Sequence, residues 1–139
     1  EVSMDDALYQ SCRDTVKDDE LAILQGLVQN DRFSGGLRVK VQQVWSLAAA
    51  RCRFAKYLRI TATGTALPLG PLVAEFPPQR QTTEHGESVR GVRVRVRVER
   101  PTARCELDLD ERSLFFPSDA ALRRWSEWAH PQKAELVYE

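Results

Sequence analysis

Signatures of catalysis are missing from this sequence. It has no GxGxxG, no Walker-type phosphate loop, no GxSxG elbow and no HExxH pair, so dinucleotide binding, phosphate-loop chemistry, an elbow nucleophile and zincin chemistry have no support. No cofactor and no metal are therefore expected. The longest uncharged run, residues 60–74, is too short and too broken by Gly and Pro to cross a bilayer. Cysteine is scarce: Cys12, Cys52 and Cys105 show no CxxC or Cys/His spacing that would suggest zinc, and an odd number cannot all pair within one chain. Buried reduced thiols are expected, with a Cys52–Cys105 disulfide as the alternative. That usage favours an intracellular, cytoplasmic protein and leaves secretion or the periplasm open.

Lysine is rare as well. Of the 20 basic residues only 4 are lysine, a bias that a GC-rich genome produces through its arginine codons. Met4 is the single methionine and reads as the initiator behind a three-residue remnant, Glu1 to Ser3; the alternative is an excised segment in which Met4 is an ordinary helix residue. The 139 residues suit one domain, 1–139.

The formal charge of zero hides segregation. Residues 1–31 carry eight acids and two bases (net −6), residues 32–104 fourteen bases and four acids (net +10), and residues 105–139 eight acids and four bases (net −4). A basic middle implies an acidic partner, a nucleic acid, or neutralisation within the fold.

Met4, Leu8, Cys12 and Val16 form a helical stripe behind Asp5 and Asp6; a second acidic cluster, Asp18 to Glu20, precedes Leu21, Leu24, Leu27 and Val28, predicting a helix or helix pair to about Asn30. Residues 37–63 fit either an Ala-rich helix within 42–57 or two strands. A weak echo of 39–54 in 92–107, at a constant offset of 53, favours a second hairpin pairing 37–46 with 51–62. The run Leu72 to Phe76 reads as an edge strand between prolines, and the polar stretch 77–88 as a mobile loop. Leu114 to Phe116 supply core, Pro117-Ser118-Asp119 opens a helix bearing Leu122, Trp125 and Ala129, and Ala134, Leu136 and Tyr138 alternate as a closing strand.

The strongest local pattern is the hairpin at 92–110. Val92, Val94, Val96 and Val98 alternate with Arg93, Arg95, Arg97 and Glu99, which puts β-branched residues on one face of a strand and charges on the other. With 100–103 as the loop, Glu99 faces Arg104, Arg97 faces Glu106, Arg95 faces Asp108 and Arg93 faces Asp110. The same register sets Val98, Val96 and Val94 against Cys105, Leu107 and Leu109, so a one-residue slip would spoil both faces. These arginines are thereby occupied by carboxylates and withdrawn from phosphate binding.

The unpaired basic stretch is the candidate site. In the second hairpin, Arg38, Lys40, Arg51, Arg53 and Arg59 share an outward face with Tyr57 and no local acid, a partner-binding surface for an acidic protein or a nucleic acid; Trp128, at the flank of the late helix, is a candidate anchor. His85 between Glu84 and Glu87 is a weak acid/base or metal candidate in the polar loop, and His130 before Pro131 suits a helix end. Pro68 to Pro71 fits only a minimal PxxP pattern.

The fold expected is α+β: an N-terminal helix or helix pair on an antiparallel sheet of about five strands, then a short C-terminal helix and strand. It resembles NTF2-like and cystatin-like shapes at the level of architecture. The function expected is a non-enzymatic protein–protein interaction module: an adaptor, chaperone, inhibitor or immunity-type protein. The alternatives are a nucleic-acid-binding domain using 38–59 and a small NTF2-like cavity enzyme. Partner identity and oligomeric state lie outside the sequence.

Overall fold

In the computed structural model the chain is described at residues 1–32, 35–63, 68–83 and 86–139. It is a mixture of helices and strands arranged in two compact units, Glu1–Ala50 and Arg51–Glu139.

The first unit contains β1 (Val2–Ser3), α1 (Asp6–Cys12), β2 (Ala22–Asn30) and β3 (Leu37–Ser46), with sheet order β1-β3-β2. Asp5 caps α1, its carboxylate accepting from the Leu8 amide at 3.0 Å. The predicted helix over 21–30 is instead β2. Leu21, Leu24, Leu27 and Val28 fit a helical stripe, yet Ala22, Leu24, Gly26 and Val28 also alternate, and antiparallel pairing with β3 decides the matter. The register shifts between Gln25 and Gly26, because Gln25 faces Gln43 while Gly26 faces Val41, so Gln42 is an extra bulged residue. Backbones come close here. A Cβ on Gly26 would stand 2.4 Å from the Lys40 carbonyl oxygen, so only glycine fits.

Helix α2 (Leu47–Phe54) follows β3 directly, with the Ser46 hydroxyl accepting from the Ala49 amide at 3.3 Å. The expected second hairpin does not form. Its two strands exist, but β3 pairs with β1 and β2, whereas β4 (Tyr57–Ala62) pairs in parallel with β7 (Arg93–Arg100) and antiparallel with β9 (Ala134–Val137). The alanines at 48–50 favour helix strongly enough to break the run in two.

The second unit adds α3 (Leu69–Glu75), β5 (Gln79–Thr83), β6 (Gly86–Arg90), β8 (Ala103–Asp108), a 3-10 turn (Glu111–Ser113) and α4 (Asp119–Ala129). Two expectations are corrected. Residues 72–75 belong to α3, with Phe76 as its C-cap, and Pro71 lies in the first turn, where its missing N–H leaves no bond unmade. The supposed mobile loop at 77–88 holds β5 and the start of β6, which form an antiparallel hairpin. One five-stranded sheet is likewise replaced by three sheets, and the main one runs β8-β7-β4-β9.

The apolar face of that sheet carries Leu58, Ile60, Val92, Val94 and Val96, and it packs with Leu72 of α3, Phe115, and Ala121, Trp125 and Ala129 of α4. The Phe115 and Trp125 rings lie 5.3 Å apart at 51°. The Ser118 hydroxyl caps α4 by accepting from the Ala121 amide at 3.1 Å. The Trp125 indole N–H is buried with no hydrogen-bond partner among the described residues.

Two outcomes follow for folding. Gly26→Ala costs the first unit about 1–3 kcal/mol, read as lost amide-exchange protection across β2 and β3 with the second unit's protection unchanged. Trp125→Ala costs the second unit about 3–5 kcal/mol in chemical denaturation. Trp125→Phe costs much less, because the lost N–H was unpaired.

Candidate interaction surfaces

The charged face of the main sheet follows from its register. Arg95 stands opposite Asp108, Arg97 opposite Glu106 and Glu99 opposite Arg104, as the alternation requires. The loop is shorter than expected, since Arg100 pairs with Ala103 and only Pro101 and Thr102 remain outside the ladder. Arg97 donates through Nε to Glu106 at 2.8 Å, and Arg104 reaches Glu99 at 3.1 Å. Arg95 grips Asp108 with two nitrogens and also reaches Glu106 at 3.5 Å. The fourth pair differs: Arg93 approaches Glu111 at 3.7 Å, while Asp110 caps the 3-10 turn by accepting from the Arg112 amide.

Insertion of β4 beside β7 extends this pattern. Glu135, Arg59, Arg95 and Asp108 lie in one row across four strands, two adjacent cations held apart by acids on either flank. Arg59 donates through Nε to Glu135 at 2.9 Å, and the Arg95 guanidinium sits 3.8 Å over the Tyr57 ring. These bonds pull Glu106, Asp108 and Glu135 below the ordinary carboxylate range, chiefly through hydrogen bonds from Arg97, Arg95 and Arg59 respectively.

The hairpin on which the basic face at 38–59 was expected does not form. Arg38 and Lys40 sit on β3 in the first unit, Arg51 and Arg53 on α2, and Tyr57 and Arg59 on β4. Nor do they lack acids. Arg38 lies 3.4 Å from both Glu1 and the buried Asp31, Arg51 binds Asp119 at 2.6 Å and the Pro117 carbonyl at 3.0 Å, and Arg59 is taken by Glu135. Arg53 lies near the Phe54 ring. Lys40 is exposed, and Trp128 is 45% exposed on α4. His130 is the C-cap of α4, its amide donating to the Ser126 carbonyl, and His85 lies outside the described residues.

All three cysteines are free. Cys12 is buried and Cys52 half-buried, its thiol pushed up by desolvation against the opposing charge of Arg90. Cys105, expected inside, is exposed, because β8 is an edge strand and the helices cover the valines of β7 but not its outer neighbours; Leu107 is 51% exposed for the same reason.

Two features carry no sequence forewarning. On one face of the first unit's sheet the register gathers Val2, Ala22, Leu24, Val28, Leu37, Val39, Val41 and Val44, without a charge among them. Val41 is buried, but Val28 and Leu37 are 65% and 66% exposed, and Val2 and Leu24 are exposed too. In the second unit a cleft of about 510 Å³ is lined by Lys56, Arg80, Arg93, Glu111 and the aliphatic Ala55, Pro78, Val89, Val92 and Leu114. Among the described residues no group of three or more His, Cys, Asp or Glu side chains could hold a metal ion, and no helix is long and apolar enough to cross a membrane.

No protein-family model matches the chain. A 52-residue stretch is 38% identical to DNA polymerase III subunit alpha of Pseudomonas fluorescens; it covers 37% of this chain and only 4% of that protein's length.

The ion-pair face sets the pH response. Its carboxylates have depressed pKa values in the folded state, so their stabilisation is complete above the unfolded carboxylate pKa and is lost as pH falls through the folded values. Glu106→Gln, Asp108→Asn and Glu135→Gln therefore lower the melting temperature at pH 7, and the gap from the parent chain closes in the acid range. High salt shrinks the same gap at pH 7.

Proposed function

We propose that this chain is a binding module without catalysis of its own, which recognises a protein partner through the apolar face of its first unit. The observation that carries this reading is the uncovered set Val2, Leu24, Val28 and Leu37, gathered on one sheet face by the β1-β3-β2 register. Contiguous exposed apolar surface marks protein interfaces, and a face without cations offers a polyanion nothing. At the sheet's edge, β2 has nine residues and pairs on one side only among the described residues, a template onto which an extended segment of a partner adds.

Affinity purification from the native source with mass spectrometry tests this when run in parallel on the parent chain and a Leu24→Thr/Val28→Thr/Leu37→Thr variant, whose substitutions keep β-propensity at exposed positions. One protein recovered with the parent and depleted about tenfold or more with the variant is the expected result. Equal recovery with both, or no partner with either, contradicts the reading.

A nucleic-acid reading has less support, because the hairpin expected to carry the 38–59 cations does not form and Arg38, Arg51 and Arg59 have carboxylate partners. Strong salt-dependent retention on DNA, abolished by Arg51→Glu and Arg53→Glu, would restore it.

A further inference from the structure

Two groups of cations in the second unit differ in their partners. Those on the open sheet face are held by close carboxylates, as described. Those around the 510 Å³ cleft are not. Lys56 makes no ion pair with the described residues, and Arg80 and Arg93 have only loose partners, Glu87 at 3.3 Å and Glu111 at 3.7 Å. Both of those carboxylates are well exposed, Glu111 at 82%, so little is lost when another anion displaces them.

The rest of the lining selects among anions. Ala55, Pro78, Val89, Val92 and Leu114 form an aliphatic floor, and Val89 is 42% exposed. No aromatic ring lines the cleft, so a base has no stacking platform of the kind single-strand binders use. An aliphatic side chain fits such a floor, and carboxylates fit the rim. Glu87 and Glu111 already show the geometry in which Arg80 and Arg93 receive a carboxylate.

We propose that this cleft seats an acidic peptide of a partner protein, with one aliphatic side chain on the floor formed by Val89 and Leu114 and flanking carboxylates on Lys56, Arg80 and Arg93. This rests on the binding-module reading but uses a different surface from the apolar face of the first unit. Each can fail alone.

The test is fluorescence anisotropy of the full chain with a labelled short peptide alternating glutamate and leucine, compared with a glutamine-for-glutamate version and with oligothymidylate. The parent chain binds the acidic peptide with an affinity that falls with salt, and Lys56→Glu weakens it about tenfold or more. Val89→Asp, which charges the floor and leaves the rim intact, weakens it as well. Lys40→Glu, an equal charge change in the first unit, leaves it unchanged, as does the Leu24/Val28/Leu37 threonine variant. Circular dichroism of the variants matches the parent. Absence of binding, equal binding of the glutamine peptide, an equal loss with Lys40→Glu, or preference for oligothymidylate at the same residues overturns the proposal; the last result assigns the cleft to nucleic acid.

Discussion

Everything in the second unit turns on the two-sided character of β7. Its valines and arginines alternate, so a strand in the middle of a sheet must send one set into a core and the other toward solvent. Val92, Val94 and Val96 are buried against Phe115 and Trp125. That choice dictates the side on which α3 and α4 pack. The opposite side then holds closely spaced guanidinium groups, which are tolerable only because β8 and β9 bring carboxylates to the same rows. The parallel neighbour β4 repeats the compromise, with Leu58 and Ile60 inside and Arg59 outside.

Charge is thereby sorted by use. An arginine that donates two hydrogen bonds to one carboxylate, as Arg95 does to Asp108, is part of the scaffold. A cation that faces a concave aliphatic floor with a loose partner or none is available to something else. More than half of the basic residues in 32–104 have a carboxylate partner within the fold, and Lys56, Arg80 and Arg93 line one cleft. The first unit has no comparable sheet-face ladder. One face of its sheet exposes Val2, Leu24, Val28 and Leu37, and its strand pairing depends on a glycine where the backbones nearly touch.

How much of this was legible follows from how many constraints each segment carried. The 92–110 register could be read because apolar and charged faces demand the same pairing, and it was found with a tighter loop and one exchanged partner for Arg93. The late helix and closing strand were equally plain from their periodicity. The segment 21–30 was not, since leucines spaced by three also alternate with small residues, and only a partner strand distinguishes the two. The pairing of 37–46 with 51–62 rested on an echo of sequence, whereas the true partner of β4 is a parallel strand more than thirty residues away, which leaves no local trace. The candidate face rested on that pairing. Lys56, Arg80 and Arg93 come from three separate segments, and Val89 is the one apolar residue of the β5–β6 hairpin, so no hydrophobic period marked it.

The central claim is that β7 lies between a parallel β4 and an antiparallel β8, with its arginines facing carboxylates. Nuclear Overhauser contacts in the isotopically labelled chain test it most directly. The account predicts parallel contacts between Ile60 and Val96 together with antiparallel contacts between Arg97 and Glu106. Contacts joining β4 to β3, or a β7–β8 register shifted by one residue so that Arg95 meets Leu107, would contradict it.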